Sequence, residues 1–136
     1  MMLRLFLLCA ALAAATPATA ATPIFGRWIT HDGDAIVRVE ACGAKLCGQI
    51  ERVLDPRAPK NDINNHDRGR RGKPLVGTMV LSDFAASGAV WKGGTAYDPK
   101  SGKDYRGELQ LLTGDKLKVT GCVLVICRSM YWTRVN

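Results

Sequence analysis

Beyond its first twenty residues, this chain places apolar side chains at every second position. Ala35, Val37, Val39 and Ala41 alternate with Ile36, Arg38, Glu40 and Cys42, and Leu46, Gly48 and Ile50 with Cys47, Gln49 and Glu51. The same holds for Tyr105, Gly107, Leu109 and Leu111, and for Leu117, Val119 and Gly121. Period two with one largely polar face predicts half-buried antiparallel strands. With further runs at 24–30, 76–83, 89–97 and 129–135, the count is about eight strands. Turn chemistry separates them: Asp32-Gly33-Asp34, Gly43-Ala44-Lys45, Asp98-Pro99-Lys100-Ser101-Gly102 and Thr113-Gly114-Asp115. No segment longer than a turn or two repeats at helical period. The expected fold is all-β, a small antiparallel up-and-down barrel or a sandwich. Glycines on the inward faces (Gly48, Gly107, Gly121) favour the barrel, where strands bend sharply and interior space is short. The Gly93-Gly94 pair inside a strand run predicts a bulge.

One connection breaks this rhythm. Residues 54–74 form a 21-residue stretch with no strand pattern, carrying Arg57, Lys60, Arg68, Arg70, Arg71 and Lys73 against Asp55, Asp62 and Asp67. Loops of that length inside a compact domain are usually functional or disordered. The readings are a binding rim or lid, and a solvated surface connection.

The N-terminus reads as an export signal: Met1-Met2-Leu3-Arg4, an apolar stretch to about Ala15, then Ala18-Thr19-Ala20 as a small-x-small cleavage site. The apolar run is too short to span a bilayer, and no later run is long enough, so no transmembrane segment is expected. Phe6-Leu7-Leu8 before Cys9 argues against a lipid anchor. Cleavage after Ala20 leaves residues 21–136 as a single domain of 116 residues, in the periplasm or secreted. It also removes Cys9 and lowers the formal net charge from +7 to +6. The remaining Cys42, Cys47, Cys122 and Cys127 make an even set in an oxidising compartment, which predicts disulfides. Three pairings exist for four cysteines; the local one, 42–47 and 122–127, is expected because Cys42 and Cys47 flank a tight turn. Zinc would want shorter cysteine spacing and a redox pair Cys-x-x-Cys, so neither metal nor cofactor is expected. Asp62-Ile63-Asn64-Asn65-His66-Asp67 fails as a calcium loop at its fifth, sixth and twelfth positions. The basic residues are not interleaved with aromatics, so nucleic acid is not an expected partner.

The two ends of the chain carry complementary pieces. Gly26-Arg27-Trp28 opens the first strand and Trp132-Thr133-Arg134 closes the last, with Trp132 and Arg134 on one face. A barrel pairing those strands would stack Arg134 across Trp28. This resembles the lipocalin and wider calycin pattern. A closer resemblance spans nearly the whole chain after the leader, to the exported bacterial family catalogued as domain of unknown function 2147. It rests on Gly26-Arg27-Trp28, Cys42-Gly43-Ala44-Lys45-Leu46-Cys47-Gly48, Asp62 with Asn65, and the stretch Arg71 to Gly77. Also matching are Trp91-Lys92-Gly93-Gly94, Tyr97-Asp98-Pro99, Gly102-Lys103 with Tyr105, and Cys122, Cys127 and Trp132-Thr133-Arg134. The resemblance implies a lipocalin-like barrel in the cell envelope and no particular reaction. Where the family commonly has Asn-Pro after the loop aspartate, this chain has Asn65-His66, which implies a different turn there.

No catalytic constellation stands out. His31 and His66 lie in polar turns beside Asp32 and Asp67, and there is no nucleophile elbow, His-Glu-x-x-His or carboxylate pair. Candidate ligand-binding residues are Asp62, Asn65, Arg71, Trp91, Tyr97 and Tyr105, aromatic and hydrogen-bonding groups of the kind that line small-molecule pockets. The expected function is non-enzymatic binding of a small apolar or anionic ligand. The alternatives are an envelope protein–protein interaction module and a hydrolase.

Overall fold

A computed structural model describes residues 23–136, together with Ala13 and Ala14. The rest of the predicted leader, with Cys9 and the cleavage site, lies outside the described residues. Eight strands follow one another: β1 (Gly26–Ile29), β2 (Ala35–Cys42), β3 (Lys45–Val53), β4 (Met79–Ser87), β5 (Val90–Asp98), β6 (Lys103–Thr113), β7 (Lys116–Val123) and β8 (Ile126–Arg134). Each pairs antiparallel with the next, and β1 returns to β8, closing an up-and-down barrel with no free edge. The expected fold is the observed one.

Because successive turns alternate between ends, the loops sort into two groups. The turns after β2, β4 and β6, with both chain ends of the barrel, form one end. The connections after β1 (30–34), β3 (54–78), β5 (99–102) and β7 (124–125) form the other. The first is sealed. Trp28 is wholly buried and donates its indole N–H to Ile24 O at 3.0 Å. Arg134 pairs with Trp28 across β1–β8 and lies over the indole at 4.3 Å. Its guanidinium donates to the carbonyls of Phe25 (3.0 Å), Gly114 and Pro23. Gly26 makes room, since a Cβ there would stand 2.8 Å from Arg134 Nη1, and its φ of +136° suits glycine. Arg134→Ala should therefore destabilise the barrel by about 1–3 kcal/mol in denaturant titrations, through lost stacking and orphaned carbonyls. Arg134→Lys should recover little of it, since an ammonium lacks the planar fork. A fully stable Arg134→Ala protein would contradict this closure.

Two strands depart from the sequence expectation. β4 starts at Met79, not at residue 76, because Gly77 takes φ +90° and Thr78 Oγ1 donates to Pro74 O, which turns 75–78 into the end of the loop. It runs on to Ser87 through a bulge in which Asp83 has φ +61° and the register with β3 slips between Leu46↔Phe84 and Gly48↔Leu81. That extra residue rephases the strand, so Leu81 and Phe84 both point inward although three positions apart. β8 begins at Ile126, earlier than the predicted 129, because the β7–β8 hairpin continues to a two-residue turn. The bulge expected at Gly93-Gly94 is present, with Gly93 at φ +73° and a register shift between Lys92 and Gly94.

The core follows from these choices. Phe84, fully buried, occupies the barrel axis, and hypothetical Cβ atoms on Gly94 and Gly107 would each come within 2.4 Å of its ring. Glycine on two neighbouring strands is what lets a phenyl ring cross so narrow an interior. Trp28, Leu46, Leu109 and Leu117 pack below it.

Both disulfides are local, Cys42–Cys47 and Cys122–Cys127, one at each end of the barrel. Alkylation of the denatured, unreduced chain comprising residues 21–136 should add no mass; a labelled cysteine would refute the pairing.

Candidate functional site

At the second end, the 54–78 connection folds back over the barrel mouth. Its two limbs are pinched together by an isolated bridge, Asn61↔Pro74, with Asp62 N donating to Lys73 O (2.8 Å) and Leu75 N to Lys60 O (3.0 Å). Leu75 turns inward and is buried. The single turn of 3-10 helix, Arg68–Arg70, is capped by the Asp67 side chain.

A polar latch holds this lid. Asp62 and Asn65 are the buried polar side chains of the described residues, 2% and 4% exposed. Asn65 Nδ2 donates to Asp62 Oδ2 at 2.7 Å and the Tyr97 hydroxyl to Asp62 Oδ1 at 2.7 Å, so the carboxylate gains two donors in place of water. Asn65 Oδ1 accepts from Asp67 N (2.8 Å), and Asn65 O accepts from Arg71 Nε (2.7 Å). Asn64 Nδ2 reaches Lys100 O at 3.2 Å, and His66 Nδ1 lies 3.0 Å from Gly102 O. Gly102 has φ +71°, and a Cβ on it would collide with Asn64 O at 1.7 Å, so only glycine lets the lid sit on the β5–β6 turn. Burial, and then the Asp62 hydrogen bond and charge, push the Tyr97 phenol well above its ordinary value of 10.0. A raised folded pKa means the contribution is complete below the unfolded value and lost as pH rises past it. Lid stability should thus fall above about pH 10, and Tyr97→Phe should remove that alkaline step while leaving neutral-pH lid opening measurable by hydrogen exchange.

Beneath the lid is a cavity of about 600 Å³. Val37, Ile50, Leu81, Ala96, Tyr105, Val119, Met130 and Trp132 line it, with Leu75 as part of its roof. Around its mouth stand Arg57, Asp34, Asp98, Lys100 and Arg128. Lys100 ties the β1–β2 and β5–β6 turns together through ion pairs with Asp34 and Asp32 (3.7 Å to the latter). Arg128 stands opposite Gly121 on β8, and no carboxylate pairs with it among the described residues. A separate cleft of about 810 Å³ lies outside, lined by residues of the 54–78 connection and by Met79, Ser82, Thr95 and Asp104; there His66 Nε2 is 3.5 Å from Asp104 Oδ2.

The candidate residues thus divide into three groups. Asp62, Asn65, Arg71 and Tyr97 come together, with the first two and Tyr97 as latch and Arg71 as a brace on the loop backbone. Tyr105 lines the cavity. Trp91 stands apart, packed against the core near the sealed end with its ring 6.4 Å from Phe25. As a ligand-binding candidate Trp91 is corrected: it is the second residue of β5, next to the β4–β5 turn at the sealed end, and is not brought to the mouth with the others. Arg128 and Met130 were not singled out from the sequence. Their signal was parity, since 128, 130, 132 and 134 share a face.

A closed eight-stranded barrel with a floor of Phe84 and Trp28, an apolar chamber and a loop across its mouth is a lipocalin-like fold. Residues 26–134 match the family described as "Uncharacterized protein conserved in bacteria (DUF2147)", and the chain belongs to it. Among solved structures it is similar to HP1028 from the human pathogen Helicobacter pylori, described as belonging to the lipocalin family. The TM-score is 0.74 and the identity 21%, over 83% of each chain. That likeness is one of fold. No curated protein matches the chain.

Proposed function

We propose that the protein is exported and binds a small, largely apolar molecule inside the barrel, with the 54–78 connection as its lid. The observation that carries this reading is the 600 Å³ chamber, bounded by aliphatic and aromatic side chains and roofed by Leu75. Burying an apolar ligand there would remove its surface from water at about 25 cal/mol per Å². Arg128 at the mouth, with which no carboxylate pairs among the described residues, favours a ligand with one anionic end, so an aliphatic carboxylate is the fitting class. The export reading draws support from the two disulfides and the leader pattern.

The test is titration with a fluorescent polyene carboxylate and its uncharged methyl ester. Val119→Phe, which fills the chamber, should abolish binding of both. Arg128→Gln should weaken the carboxylate by about tenfold and leave the ester unaffected, as expected for one charge-assisted hydrogen bond. Equal binding by Val119→Phe and the parent protein would remove the chamber as the site.

A further inference from the structure

The β7–β8 hairpin ends in Cys122-Val123-Leu124-Val125-Ile126-Cys127, four aliphatic residues held between bridged cysteines. They are 52%, 83%, 94% and 72% exposed, so the apolar side chains are presented to solvent and not packed. Two-residue hairpin turns call for glycine or asparagine where φ is positive. Here Leu124 takes that place at φ +54°, a strained position for a leucine. Turn chemistry has been overridden to keep the tip apolar, and such local violations concentrate at functional sites. Basic groups flank it. Arg106 lies opposite Cys122 and donates from Nη2 to Leu124 O at 3.3 Å, and Arg128 lies opposite Gly121. Neither has a carboxylate partner among the described residues.

We propose that this stapled tip inserts into the interface of an anionic phospholipid bilayer, with Arg106 and Arg128 on the lipid phosphates. The occupant follows from shape and charge together. A narrow convex tip with no aromatic or hydrogen-bonding side chain lacks the anchors of protein hot spots. Aliphatic residues flanked by two arginines suit the headgroup boundary, where long cationic side chains reach phosphate while their neighbours enter the acyl region. The hairpin ladder and the Arg106 bond occupy tip backbone groups that would otherwise enter lipid unpaired, and the disulfide keeps the strands from parting. The turn shares its end of the barrel with the 54–78 lid and the chamber mouth, so insertion would bring that mouth to the bilayer. The proposal shares Arg128 with the chamber mouth, so it is decided on ligand-free protein by the tip variant, which leaves Arg128 in place.

The experiment is co-sedimentation of the exported form with ligand-free vesicles of phosphatidylethanolamine and phosphatidylglycerol, and with vesicles of phosphatidylcholine alone. Two variants accompany it: Leu124→Gly/Val125→Ser, which suits the turn's backbone and cannot fail through strain, and Arg106→Gln/Arg128→Gln. Binding to the anionic vesicles should fall by about tenfold or more in the tip variant. It should fall severalfold in the arginine variant, with the salt sensitivity of the parent protein reduced. Parent binding to phosphatidylcholine should be far weaker than to the anionic mixture. Tip-variant binding within twofold of the parent would overturn the proposal. So would a parent protein that ignores vesicles, whether monomeric or forming a dimer that the tip variant loses; in the latter case the tip joins two copies.

Discussion

Phe84→Ala is expected to be among the most damaging single substitutions in this protein, costing about 3–5 kcal/mol of stability. The ring is fully buried on the barrel axis, and Gly94 and Gly107 exist to admit it. The more diagnostic result lies in the pair. Gly107→Ala in the parent protein drives a methyl to 2.4 Å from Phe84 Cζ and should itself cost about 1–3 kcal/mol by overpacking. In the Phe84→Ala background the collision is gone, so the second substitution should be nearly free or stabilising. The coupling energy should be about 1–3 kcal/mol. Additive effects in denaturant unfolding would mean that the ring does not rest on these glycines, and the chamber's floor would have to be redrawn.

The second large effect is expected at the latch. Asp62→Ala leaves the Tyr97 hydroxyl and the Asn65 amide without their shared acceptor in a buried place. Two orphaned donors should cost about 2–4 kcal/mol. The loss should be local, because this cluster and the Gly102 seat hold the middle of the connection, while separate backbone hydrogen bonds at Leu54, Asp55 and Gly77 anchor its ends. Hydrogen exchange should quicken across 54–78 while β2, β3 and β6 keep their protection. Uniform acceleration across the strands would show that Asp62 supports the barrel itself. Unchanged exchange in the loop would show that the latch holds nothing. Tyr97→Phe removes one of the two donors to Asp62 and should give a smaller loosening of the same segment.

These expectations show where the sequence was readable. Alternation in β2, β3, β6 and β7 was visible because each strand has one buried and one wet face, and the closure by Trp28 and Arg134 was visible because both termini carry it. β4 was misplaced because a bulge at Ser82-Asp83 changes the phase of inward positions, and no periodic pattern survives a one-residue insertion. The long loop was legible as an exception and Asp62 and Asn65 as notable residues. Their role was not, because a latch depends on partners 35 residues away, and Tyr97 reaches Asp62 only once the barrel is closed. Trp91 was grouped with them by residue type alone. Type says that an indole wants burial, but not at which end of the barrel it will find it. The chamber itself was the least legible feature, since a cavity is space left between residues and has no letter in the sequence.

The central claim is that a small amphiphile sits inside the barrel under the lid. Methyl-resolved NMR of the isotope-labelled protein, titrated with the polyene carboxylate, tests it most directly. The account predicts saturable shifts at Val37, Ile50, Leu81 and Val119, which line the chamber, with Val125 and Leu112 on the exterior unmoved. Shifts confined to the exposed methyls, with the four chamber residues silent at saturation, would contradict it.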